Sequence, residues 1–316
     1  MSITTPTLLP APVQQWFDDV LLARPEPLLI HNKFAMHKRM PERSGRTVRY
    51  RRYNNLARAT VPLGPSGLTP PPQVLSAVDI DATIDWYGTY VILTDQVTLQ
   101  NQDPVLNETA SLLAQSLRET DDELTRNMLE ATASFINCVN GVNGDNPTEL
   151  SRPDIDVAIF TLIGASARMI SDNIEGENKF GTAPIREAYW VMSHSDVLTD
   201  LEAVQGYINT SQYPSPMNIL TAEWGAVANS RWTYSPLGSV TSSGSALGAD
   251  VYNNFMAAQQ AYANILQEGA TAQFIYQGLG SGNDPLLQRQ TAGYKFAQVP
   301  RLLNDQWLLN LRATLA

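Results

Sequence analysis

The chain is poor in the residues that most often carry chemistry. Among 316 residues it has one cysteine, Cys138, with three histidines and only four lysines. A lone cysteine excludes a disulfide framework and a cysteine-rich zinc site, and it fits a reducing compartment. His31, His37 and His194 have neither the i, i+4 spacing nor the cysteine partners of a zinc centre. No run approaches the roughly 18 apolar residues that a membrane helix needs. Residues 1–12 lack the basic start and apolar core of a signal peptide. There is no internal repeat or long heptad pattern, and no Gly-x-Ser-x-Gly elbow. The expectation is a soluble protein assembled in the cytoplasm, with no cofactor, no metal and no membrane contact.

What the chain does have is sorted charge. Nine of its 21 basic side chains fall within 33–58, with Glu42 the one acid among them. Across 79–156 the balance inverts to fifteen acids against Arg118, Arg126 and Arg152. Separated potentials of opposite sign steer and register association, so one surface could seek the other on a second copy. Two unrelated solvated faces are the plainer alternative. A net charge of -10 argues against general nucleic-acid affinity, because phosphate binding needs a net basic face. The segment 33–58 is the local exception.

Along the chain, 13–23 reads as a short amphipathic helix stopped by Pro25 and Pro27. An early arm with its own apolar face usually lies on something else. In 47–56, Val48 and Tyr50 alternate with Arg49 and Arg51, the period of a strand. Seven prolines and glycines from Pro62 to Pro72 then forbid helix and central strand, which marks an exposed tip. Beyond it Val78, Ile80, Ala82, Ile84 and Trp86 point one way, and Asp79, Asp81, Thr83 and Asp85 the other. The sum is a two-stranded ribbon, marginal in isolation, with one Arg-rich and one Asp-rich strand.

A long helix follows over about 104–139. Asp103 is a suitable N-cap, Pro104 suits the first turn, and Asn140-Gly141 supplies a stop. Leu106, Ala110, Leu113, Leu117, Leu124, Met128, Ala131 and Phe135 form one stripe, on a rod of roughly 50 Å. A second amphipathic helix is expected over 155–170. From 188 onward short apolar runs alternate with turn clusters, which is a mixed α/β pattern, and 295–299 and 307–313 close the chain as strands.

Candidate chemistry is thin. Ser193-His194-Ser195-Asp196 holds the letters of a hydrolase triad, but contiguous residues cannot align nucleophile, base and orienter. Asp79, Asp81 and Asp85 share one strand face and could hold a hard cation; a solvated or Arg-paired face is the plainer reading. Gly278-x-Gly280-x-Gly282 lacks the ending of a phosphate loop. The basic segment with Tyr50 and Tyr53 could stack on single strands, although its tyrosines share no clean face opposite the arginines.

Several segments resemble the major capsid proteins of N4-like, short-tailed phages. They are Arg51-Arg52-Tyr53-Asn54-Asn55-Leu56, Tyr87-Gly88-Thr89-Tyr90-Val91-Ile92-Leu93-Thr94-Asp95 and Asp284-Pro285-Leu286-Leu287-Gln288-Arg289. Thr182-Ala183-Pro184-Ile185 with Ala188-Tyr189 and Ser193-His194, and Glu223-Trp224-Gly225 through Arg231, are similar to further landmarks. The likeness runs from about 13 to 313, and its specificity lies in five segments in order. It implies an α+β fold of HK97 type, with an N-terminal arm (1–38) and an extended loop (39–77). A peripheral domain with the spine helix (78–153), an axial domain (154–283) and a returning C-terminal segment (284–316) complete it. It further implies a structural protein, not an enzyme, forming hexameric and pentameric capsomers of an icosahedral head around double-stranded DNA. Portal and scaffolding or decoration proteins are the implied partners, and the virion capsid the location. Some shells of this fold are welded by Lys-Asn bonds; with no lysine in the loop beyond Lys38, a non-covalent shell is expected. Arg46, Arg49, Arg51, Arg52 and Arg58, with Asp79, Asp81 and Asp85, are the expected inter-subunit contacts. A nucleic-acid-binding protein using 33–58 is the alternative.

Overall fold

Alternation within the longest strand, Arg289–Leu302, sets the layering of half the molecule. Ala292, Tyr294 and Phe296 point to one face and pack on Leu113, with Leu106, Leu117 and Leu124 of the spine helix around them. Ala297 and Val299 point to the other and pack on Ala82, Ile84, Val48 and Tyr50 at the root of the ribbon. A strand buried on both faces needs apolar or small residues at successive positions, and Ala292-Gly293-Tyr294 and Phe296-Ala297 supply them on either side of the exposed Lys295. The computed structural model describes residues 26–60, 72–100, 105–131, 134–170, 187–213, 219–270, 272–279 and 286–315. The expected arm helix at 13–23, the ribbon tip at 62–71 and the cap at Asp103-Pro104 lie outside them.

The long strand pairs antiparallel with Asp85–Thr94 on one edge, and with Tyr262–Gln267 and Gln273–Gln277 on the other. Met36–Met40 adds a parallel edge strand beside Tyr262–Gln267. Residues 30–40 are thus built into the body: Ile30 is 0% exposed and Phe34 4%. The ribbon pairs Thr47–Tyr53 with Ala77–Thr83. Its root has a core of its own on the sheet, where Val48, Tyr50, Ala82 and Ile84 pack.

A second sheet of nine strands holds most of the remaining chain. At its centre Tyr189–His194 lies between Ser230–Ser235, parallel, and Val251–Ala257, antiparallel. Every residue of Val251–Ala257 is buried. The helix Arg152–Gly164 covers one face, with Ile155, Ala158, Ile159 and Leu162 packed against Val191, Trp232, Leu309 and Leu311. It starts on a Ser151/Asp154 capping box with a proline in the first turn, which satisfies otherwise orphaned amides. The opposite face receives Phe34, Leu129 of the spine helix, and Tyr262. The two sheets meet there.

Two helix expectations are corrected. The spine helix is Val105–Glu130, about 39 Å at 1.5 Å per residue, and 135–139 is a strand. Phe-Ile-Asn-Cys-Val is β-branched and aromatic, buries Ile136 and Cys138 alternately, and pairs parallel with Leu308–Ala313. Asn140 and Gly141 do make a stop, but of a hairpin: both have positive φ, 50° and 87°, as a two-residue turn with the twist of flanking strands requires. The second helix ends at Gly164 rather than 170, and Ser166 turns the chain at φ 55°.

Candidate functional site

The ribbon brings the predicted charges together in register. Arg49 stands opposite Asp81 and Arg51 opposite Asp79. Arg49 donates from Nε and Nη2 to the two oxygens of Asp81 at 2.6 and 2.8 Å. Arg51 forks Asp79 in the same way at 2.7 and 3.0 Å. Arg46 reaches the Asp85 carboxylate and donates from Nε to the Ile84 carbonyl at 2.9 Å. The result is a ladder of two bidentate pairs and one single contact along the outward face. The Arg51 guanidinium holds the Asp79 carboxyl below the usual carboxylate range, and Arg49 does the same for Asp81. Reciprocally, these hydrogen bonds raise both guanidinium pKa values. The side chains of Arg49 and Arg51 are 59% and 54% exposed, so each pair is weak alone.

The expected contact residues are therefore matched to one another inside the chain. Asp79, Asp81 and Asp85 each face a guanidinium, and no group of three or more acidic, histidine or cysteine side chains suited to a metal occurs among the described residues. Arg52 lies on the other face, opposite Val78, and Arg58 is exposed beyond the strand. Tyr50 packs inward on the sheet while Tyr53 is exposed, so the two do not form a stacking platform.

Sequence reasoning missed a buried polar joint where arm, spine helix and both sheets meet. His31 Nδ1 lies 2.7 Å from Asp122 Oδ2, and the Asn32 amide donates to Asp122 Oδ1 at 3.2 Å. The neighbouring Asp121 accepts from Asn32 Nδ2 at 2.7 Å and from Asn264 Nδ2 at 3.0 Å. Tyr262 donates its hydroxyl proton to the His31 carbonyl at 2.6 Å. Burial pushes the Asp121 carboxyl up, with hydrogen bonds to Gln298, Asn264 and Asn32 opposing it. Nearby, Arg231 makes a buried bidentate pair with Glu223, both bonds 2.6 Å, and lies over the Trp190 ring. Phe34 stacks on that ring at 5.0 Å. The arm base is thus fastened to the helix through a carboxylate and to the second sheet through a ring.

The remaining candidates are structural. His194 Nδ1 accepts from the Asp196 amide at 3.1 Å and starts a short turn, while Ser193 donates to the Thr233 carbonyl. No nucleophile, base and orienter stand in line. Gly280 and Gly282 lie outside the described residues.

No family model and no curated protein matches the sequence. Solved structures do match the fold. The capsid of Ralstonia phage GP4 superposes with a TM-score of 0.69 at 12% identity, over 100% of this chain and 99% of that one. The capsid of cyanophage Pam1 gives 0.65 at 14% identity, over 96% and 97%. The acid-stable capsid of Helicobacter pylori bacteriophage KHP30 gives 0.66 at 10% identity, over 100% and 98%. The chain has the HK97-type capsid fold.

Proposed function

We propose that the chain is the major capsid protein of a tailed phage, most similar in its sequence segments to the N4-like, short-tailed group. The observation that carries this is end-to-end similarity to several phage capsid subunits, with no large part of either chain left over. In this reading the sheet with the spine helix is the peripheral domain and the nine-stranded sheet the axial domain. Hexamers and pentamers close an icosahedral, non-covalent head around double-stranded DNA in the host cytoplasm, with portal and scaffolding or decoration proteins as partners. The role is structural, not enzymatic, and the DNA is enclosed without sequence recognition. The ribbon presents its charge ladder to the next copy as a stiff, self-neutralised strip. The alternative, nucleic-acid binding through 33–58, is disfavoured because three of that segment's arginines already hold aspartates. Negative-stain microscopy of the expressed protein tests the reading. Rings of five or six subunits, or closed particles, are expected. A strictly monomeric 34.8 kDa protein that shifts DNA in a salt-sensitive way would support the alternative.

A further inference from the structure

Where the long strand Arg289–Leu302 leaves its sheet, the ribbon on one face and the end of the spine helix on the other flank an open cleft of about 580 Å³. Ile80, Met128, Leu302 and Leu303 give it apolar walls, and Arg52 and Arg301 line it with two cations. Neither arginine joins an ion pair or hydrogen bond among the described residues, unlike the three of the ladder. Asp305, also in the wall, balances only one of the two charges. A guest for this cleft needs apolar bulk and negative charge together.

One stretch of the chain has that chemistry. Residues 16–22 read Trp-Phe-Asp-Asp-Val-Leu-Leu, two adjacent carboxylates flanked by five large apolar side chains. The chain also emerges at the right place. Leu28 packs on the same cluster as Met128 and Leu302, two walls of the cleft. Only four residues lie between it and Ala23, a tether of five steps and at most about 18 Å. Apolar walls disfavour a nucleic-acid phosphate, which would leave them uncovered.

We propose that residues 13–23 dock in this cleft of their own chain, with Asp18 and Asp19 on Arg52 and Arg301. The flanking apolar side chains then lie on Ile80, Met128, Leu302 and Leu303. Docked so, the segment ties the ribbon to the spine helix across the sheet between them. The shell reading is not a premise here, since the test reads the unassembled full-length chain.

The test is the rate of chymotryptic cleavage after Trp16 and Phe17, normalised to a peptide of residues 1–25 carrying the same substitutions. Strong protection is expected in the wild type. Arg52→Glu with Arg301→Glu should raise the rate at least tenfold, and adding Asp18→Arg with Asp19→Arg should restore protection. Asp18→Arg with Asp19→Arg alone leaves the cleft untouched and should show the same loss, so the inference stays testable if the cleft variant misfolds. Equal rates in wild type and either charge reversal would overturn the docking. Protection that fades on dilution would place the segment on a second copy and overturn the intrachain assignment.

Discussion

His31 and Asp122 are 1% and 3% exposed, and His31 Nδ1 meets Asp122 Oδ2 across 91 residues of sequence. Removing one side strands the other away from water. Asp122→Ala should therefore destabilise the fold by about 1–3 kcal/mol, read by urea unfolding. The double variant with His31→Ala should lose less than the sum of the singles. Asp121 beside it behaves differently. Its folded pKa is raised, so the folded state binds the proton more tightly than the unfolded chain does. Its stabilisation is present below the ordinary carboxylate range and is lost as pH rises through the raised value. Asp79 and Asp81 carry the opposite sign: their depressed values give a contribution present above that range and lost as pH falls. Asp121→Asn should flatten the fall in melting temperature from about pH 4 upward; an unchanged slope would show that another group controls it. None of this was readable in the sequence. Two adjacent aspartates on a helix look like its wet face. Only a partner 90 residues away reverses that, and such a contact leaves no local mark.

Among the elements, those whose burial follows a local period were readable. The ribbon alternates with period two on both strands, so its charged and packed faces separated before any register was known. The spine helix was readable as a helix but not in its end or its stripe. Apolar letters continue at threes and fours through Phe135, and the pairing that makes 135–139 a strand comes from Leu308–Ala313, far along the chain. The stripe read from Leu124 and Met128 also misses the fully buried Leu129 and Thr125, because near the joint a polar row is buried. The firm part of the helix is its contact with the long strand. Leu113, 4% exposed, sits against Ala292, Tyr294 and Phe296. Leu113→Asp places an unpaired charge there and should cost about 4 kcal/mol or more, a large fraction of a domain's stability. Leu117→Asp, at a half-buried position, should cost less. Thermal melts of the two variants decide it, and equal losses would mean that the helix is rotated from the face described.

For the whole molecule, the question raised by sorted charge is whether opposite signs meet within a copy or between copies. The structure closes three pairs within the ribbon, and the remaining question is what that does for assembly. Each exposed pair is weak alone, yet in the proposed shell it recurs in every subunit. A ribbon held straight by its own ladder can be received by a neighbour without either side supplying counter-charge. Arg49→Glu with Arg51→Glu sets like charges directly opposite one another and should splay the strands and lower the yield of closed particles. Adding Asp79→Arg with Asp81→Arg rebuilds the ladder with its polarity reversed and should restore the yield. If instead a neighbour's carboxylates were the true partners of Arg49 and Arg51, this second pair of changes could not rescue assembly. Salt separates the cases further. The Debye length shrinks from about 10 Å at 0.1 M to about 3 Å at 1 M, while the ladder's bonds are 2.6–3.0 Å long. Contact pairs of that length persist where longer-range attraction between copies is screened. Particles of wild type and of the fourfold variant should thus close with similar salt resistance, scored by sedimentation across that range.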